Sequence, residues 1–253
     1  MNGNQIAAEL RRKITAGEYT YGSRMPSVRD LAAEYGVSQQ TAAAAYANLE
    51  ATGMVRVGRG VQGTIVTAGP AADAHLGHFS PPDLAAADAA WKPVNGGTAS
   101  EETVSVRQVT ADALMAEWGI PEGTGVVERV RIRCVDDTPV QHKVTVVPLA
   151  VAGKRPEGYD GIPPMLAPVG AEPVKPPRGV RMADWLGWDL AHTQWSITVE
   201  PMTAGAADVL GVSEGVPAFR ILAVARDSDG STVYATATTV PLHHRITLDI
   251  MED

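Results

Sequence analysis

The chain has 253 residues, a formal net charge of −8 and 45% hydrophobic residues, which is enough apolar content for a core and enough length for two modest domains, and excludes wholesale disorder. Its single cysteine, Cys134, excludes an intramolecular disulfide and fits a reducing compartment. The polar start MNGNQIAAELRRK has no apolar signal core, and no window reaches the ~18 uninterrupted apolar residues of a membrane helix, so a cytoplasmic protein without membrane contact is expected.

The charge is unevenly placed. Residues 1–66 hold seven Lys and Arg against five Asp and Glu, so a mildly basic head precedes a more acidic body. Ile6, Leu10 and Ile14 recur at helical spacing, and Gly17 closes that segment. Ser27 with Asp30 three residues on marks a second helix start, with Val28, Leu31 and Ala32 as its apolar face and Gly36 as its stop. Ser38 caps a third helix, buried along Ala42, Ala45 and Leu49 and stopped by Gly53. Two helices joined by a short turn containing glycine are the helix-turn-helix pattern. MVRV and GTIV then predict two short strands.

Between those strands, Gly58-Arg-Gly60-Val-Gln-Gly63 matches the G-x-G-x-x-G dinucleotide fingerprint. That fingerprint works with a helix directly after it, whose N-terminus holds the pyrophosphate. Here Thr64-Ile-Val-Thr and Ala-Gly-Pro follow, so the glycines read as the tip of a β-hairpin, a wing beside the helix-turn-helix. Arg59 and Gln62 at that tip can reach a phosphate or the minor groove; the alternative is an ordinary surface hairpin.

Residues 68–100 are rich in Ala, Pro and Gly and read as a linker, with a short helix around Leu84–Trp91. Beyond them lies an internal repeat: residues 111–148 align with 205–241, with Gly119, Glu122 and Gly123 over Gly211, Glu214 and Gly215. Each copy reads helix, glycine turn, strand, tight turn, strand. Two such units make one antiparallel sheet with helices on one face, an α+β fold. The expected domains are 1–67, a winged helix-turn-helix; 68–100, the linker; and 101–253, an effector-binding and dimerisation domain.

Residues 5–66 resemble the winged-helix domain of GntR-type transcription regulators. The marks are Gly22-x-Arg-Met-Pro-Ser27-x-Arg29-x-Leu-Ala, Gly36-Val-Ser38-x-x-Thr41, Leu49-x-x-x-Gly53-x-Val and Gly63-Thr-x-Val66. Residues 103–250 resemble the effector-sensing UTRA domain of the HutC subfamily, whose fold is related to chorismate lyase. The resemblance implies a transcription regulator, a repressor released from its operator by a small molecule. It implies DNA contacts from Ser27, Arg29, Ser38, Gln39, Gln40, Thr41, Arg59, Gln62, Gly63 and Thr64. Arg29 can fork to guanine or a phosphate, or else pair with Asp30 or Glu34 on the surface. Gln39 and Ala43 stand where the family commonly has Arg, which implies a shallower salt dependence. Gln39 and Gln40 suit adenine edges, or only solvate the helix start. One winged helix buries too little DNA for tight binding, so a homodimer on a pseudo-palindromic double-stranded operator is expected.

The body offers no catalytic constellation. The histidines are His75, His78, His142, His192, His243 and His244, none in a zinc-binding motif; the last two, if on a strand, face opposite sides. Cys134 reads as a structural thiol. No metal, no cofactor and no enzymatic activity are expected; a lyase-like enzyme with a DNA-binding appendage is the alternative. Arg131 and Arg133 share one strand face and match family positions that hold an anionic effector group, unless they line the solvent face while Val130 and Ile132 face the core. With Lys143, Tyr234 and Thr236 they form the expected effector set. Family carboxylates are replaced at Lys143 and Tyr234, which disfavours an amino-sugar phosphate. Trp185, Trp188 and Trp195 allow a flatter, less polar anion.

Overall fold

Each of the first three helices begins where a side chain takes over a free backbone N–H. The computed structural model describes residues 1–58, 62–69, 72–75, 91–93, 97–172, 174–177 and 179–247, with backbone alone for 72–75 and 91–93. Asn2, Ser27 and Ser38 accept from the N–H groups of Gln5, Asp30 and Thr41, setting the starts of α1 (Gly3–Thr15), α2 (Val28–Tyr35) and α3 (Gln39–Glu50). Gly36, at φ 62°, ends α2 in the left-handed region, where a Cβ would be strained.

The faces opposite the caps meet in one core around Ile6, Leu10, Leu31, Tyr46 and Leu49. Tyr46 Oη donates to the Pro26 carbonyl at 2.6 Å, tying α3 to the lead-in of α2. The expected wing is present: β1 (Val55–Val57) pairs antiparallel with β2 (Thr64–Val66). A bridge from Arg24 to Ile65 docks it on the chain between α1 and α2.

The segment read as a linker contains strands. β3 (Ala72–His75) pairs antiparallel with β4 (Trp91–Pro93), and β11 (Arg245–Thr247) joins β3 in parallel. Trp91, expected at the end of a short helix, lies in β4, while residues 84–90 fall outside the described residues. Strands of three or four residues carry no readable periodicity, and these are ordered by a partner about 170 positions away.

The body follows the repeat and extends it. Its elements are β5 (Ala99–Thr110), α4 (Ala113–Glu117), β6 (Gly125–Val135), β7 (Thr138–Pro148), α5 (Leu149–Ala152), a 3-10 turn at Pro164–Leu166, α6 (Met182–Trp185), β8 (His192–Pro201), α7 (Ala204–Leu210), β9 (Pro217–Arg226) and β10 (Thr232–Pro241). They form a six-stranded antiparallel sheet in the order β5-β6-β7-β10-β9-β8. Each copy is therefore strand–helix–strand–strand, and the copies meet at β7 and β10 about an approximate two-fold axis. Gly119 and Gly211, at φ 80° and 68°, turn the chain at the same point of each copy.

Helices do not cover one face alone. The α4 region and α7 back one face, on Val126, Val146, Val224 and Ala218. Met165, Met182, Leu186 and Trp188, from the segment between β7 and β8, cover the other on Val127, Val147 and Ala225. That segment, rich in proline and glycine, has no helical period long enough to predict. His243 and His244 sit in a turn after β10, not on a strand, and their rings stack 4.1 Å apart.

Candidate nucleic-acid interface and effector site

In the head, the two capping serines carry both structure and exposure. Ser38 Oγ accepts from Thr41 N at 3.1 Å and shares a 2.9 Å hydrogen bond with Thr41 Oγ1. Ser27 Oγ donates to Asp30 Oδ2 at 2.6 Å and accepts from Asp30 N. With this end of α3 fixed, Ser38, Gln39 and Gln40 stand in solvent and Thr41 is half-buried. The face that continues from Gln40 is small: Ala43, Ala44 and Ala47 are exposed. A helix tipped by amides and sided by methyl groups can enter a major groove and meet adenine edges and thymine methyls. Arg29, in the first turn of α2, is exposed, and no ion pair joins it to Asp30 or Glu34 among the described residues; Glu34 pairs with Lys13 at 3.4 Å.

At the wing, Gln62 is exposed and Gly63 is at φ 65°. The positive φ favours glycine here, and a Cβ would lie 2.6 Å from Arg24 Nε, so the exposed Arg24 side chain would have to shift. Arg24, itself exposed, is a cation at the wing root that the motif reading left without a role. Thr64 is corrected: its side chain is only 6% exposed, and its carbonyl accepts from Met25 N at 2.8 Å, so it roots the hairpin instead of facing outward. Arg59 lies outside the described residues.

In the body, sheet register brings the expected effector residues onto one face. Arg131 opposes Lys143 and Lys143 opposes Thr238; Arg129 opposes Thr145 and Thr145 opposes Thr236; Arg133 opposes Gln141; Tyr234 opposes Ala225. This is the face covered by the segment between β7 and β8. Arg133, Lys143, Thr236 and Tyr234 are buried, and the Arg131 side chain is 14% exposed. The solvent-face alternative for the two arginines does not hold.

Glu101 is the anchor of this face. Its carboxylate accepts from Arg131 Nη1 at 2.9 Å and from Arg133 Nε at 2.7 Å, while Arg133 Nη1 donates to Gln141 Oε1 at 3.1 Å. Burial alone would raise the Glu101 pKa, but Arg133, Lys143 and Arg131 hold it at about 2. Burial, reinforced by Arg133, lowers the Lys143 ammonium to about 7. Arg129 is buried too and donates through Nη1 to the carbonyls of Met165 and Ala167. Arg131 and Arg133 thus share one carboxylate, Lys143 acts on it through its charge, and Arg129 on the same face is held by backbone carbonyls. Arg129 Nε, Arg131 Nε, Gln141 Nε2 and Trp188 Nε1 are buried donors without an acceptor among the described residues. A face with surplus positive charge and idle donors is chemically suited to an anion. Trp188 lies 5.9 Å from the Tyr234 ring and supplies an apolar wall.

Two members of this site escaped the sequence reading. Arg129 stands in the same alternation, Arg129-Val-Arg131-Ile-Arg133, and was legible there. Glu101 was not, because only the pairing of β5 with β6 places it opposite Arg133.

Two family models match separate parts of the chain. Residues 2–66 match the family of bacterial regulatory proteins called gntR, and residues 95–159 match the UTRA domain. An uncharacterised HTH-type transcriptional regulator, SCO4628 of Streptomyces coelicolor, is 27% identical over 240 residues, covering 90% of this chain and 84% of the relative. The HTH-type transcriptional regulator Rv1152 of Mycobacterium tuberculosis is 36% identical over 87 residues, 34% of this chain and 63% of that protein. A crystal structure of a GntR-family transcriptional regulator aligns over 99% of this chain and 97% of its own, with 21% identity and a TM-score of 0.52. That of PhnF from Mycobacterium smegmatis aligns over 98% and 99%, with 22% identity and a TM-score of 0.50. At these identities the two structures speak for the fold.

Proposed function

Since the chain joins a GntR-type helix-turn-helix domain to a UTRA domain, the HutC-type architecture, we propose that it is a transcription repressor that leaves its operator when its body binds a small anion. It is a regulator in this reading, not an enzyme. The observation that carries the reading is the enclosed charge imbalance of the body: four cationic side chains face one another across β6 and β7, with Glu101 as their carboxylate. Such an arrangement favours a ligand that brings negative charge.

The head supplies the DNA contacts in this account. Gln39 and Gln40 read bases from the exposed start of α3. Ser27, Arg29, Ser38 and Thr41 hold phosphates through side chains and helix N-termini, and Arg24, Arg59, Gln62 and the Gly63 backbone follow the neighbouring groove. The chain acts as a homodimer. Its sheet has two open edges, and the β8 edge leaves Ile197 46% and Val199 58% exposed, an apolar strip suited to a second copy.

The anion acts by stabilising one arrangement of the body over another, which changes the separation of two paired heads. A fluorescent duplex from upstream of the coding sequence, titrated with full-length protein, tests this reading. Saturable binding reversed by at least one phosphorylated or carboxylated metabolite is the expected result. Binding that no such anion changes contradicts it.

A further inference from the structure

A second cavity lies where head meets body. Its volume is about 490 Å³, within the range of small-molecule sites. The head contributes Ile14 and Ala16 at the carboxyl end of α1, with Tyr19 and Met54; the body contributes Asp136, from the β6–β7 turn, and His243. We propose that this cleft binds a small organic amine: an ammonium group held by Asp136 and His243, with an apolar or aromatic body against Ile14, Tyr19 and Met54.

The polar groups dictate the sign of the ligand. Asp136 lines the cleft, is exposed and makes no ion pair among the described residues; its carboxylate lies against the Gly97–Thr98 backbone, with Oδ1 accepting the Thr98 N–H at 2.8 Å. The carboxyl end of α1 brings a negative pole that Arg12 and Lys13 in its last turn offset, Lys13 being itself paired with Glu9 and Glu34. Both ring nitrogens of His243 are buried and meet no partner among the described residues. Burial lowers its pKa to about 4, so near neutral pH the ring is uncharged and offers one idle acceptor. A buried acceptor without a donor is costly, and an ammonium supplies three donors. A carboxylate or phosphate would meet Asp136 with like charge. The preference is therefore opposite to that of the arginine-lined face.

The position gives the site a consequence. Head and body touch closely around it: a Cβ on Gly53 would lie 3.1 Å from Val216, and one on Gly69 would lie 2.9 Å from Thr138. Asp136 follows Arg133 by three residues in the chain. An amine spanning the cleft fixes the head against the turn of the hairpin that carries the effector arginines. It would act as a co-effector on operator affinity, and only that last step rests on the DNA-binding reading.

Calorimetric titration of the full-length chain without DNA tests the site itself. The probes are 2-phenylethylamine, benzylamine and hexylamine, with 2-phenylethanol and 3-phenylpropanoate as neutral and anionic counterparts. At least one amine is expected to bind saturably at one site per chain, tenfold or more tighter than either counterpart. Asp136→Asn should weaken the amine about tenfold or more; it retains the Oδ1 acceptor, and Asn tolerates the φ of 48°. Ala16→Phe, which fills the cleft, should abolish binding. No saturable binding by any of the three amines, equal binding of alcohol and amine, or insensitivity to Asp136→Asn would each overturn the proposal.

Discussion

At the scale of single residues, Lys143 ties the body to pH. Its pKa is about 7 in the folded chain against 10.5 for the free side chain, with burial as the main cause. Between those values the unfolded chain holds a proton that the folded chain lacks, so folding stability rises with pH across that window and is lowest below about 7. Lys143→Met should flatten this rise in denaturant titrations at pH 7 to 10, and a wild-type curve without the rise would show that burial is relieved. An anion bound beside Lys143 would restore its proton. Effector binding near pH 8 should then take up protons, read as binding heats that vary with buffer. Arg131→Ala removes a buried donor that has no acceptor among the described residues, while Arg133 keeps Glu101 paired. It should weaken the anion about tenfold or more and leave DNA binding intact. Arg131 and Arg133 were legible because alternation alone puts them on one face. Which face is enclosed was not, because the covering segment between β7 and β8 has no periodic pattern.

At the scale of elements, the head was read almost whole. Its signals are local: Ser27 and Ser38 before their helices, Gly36 and Gly63 at positive φ. Ser38→Ala should cost about 1 kcal/mol of head stability and loosen the start of α3. Gly63→Ala should do more to DNA than to folding. A Cβ strains the turn at its positive φ and displaces the Arg24 guanidinium, so operator affinity should fall several-fold while the core of Ile6, Leu10 and Leu49 keeps its melting behaviour. An unchanged affinity would remove the wing from the interface. The repeat was legible through its paired glycines, but β5 and β8 were not. As edge strands they hold one hydrogen-bonded neighbour each, and in β8 the run from Ser196 to Val199 is exposed without alternation. The strands β3, β4 and β11 escaped for a related reason, since non-local pairing leaves no local mark.

At the scale of the whole molecule, an acidic chain that binds DNA must concentrate positive charge at the head. The exposed face of α3 offers Gln39, Gln40 and alanines where cations would release counterions. The salt dependence of operator binding should therefore be shallow, and Arg29→Ala should reduce its slope by about one further unit. The account turns on the claim that α3 and the wing read duplex DNA in pairs. Its most direct test is to sequence the duplexes that full-length protein retains from a randomised pool at ~150 mM salt. The account predicts an enriched pseudo-palindrome whose half-sites lie about 10 base pairs apart, centre to centre, or a multiple of that, with enrichment lost in a Gln39→Ala, Gln40→Ala double variant. A pool that emerges without sequence preference, or a preference the double variant retains in full, would contradict it.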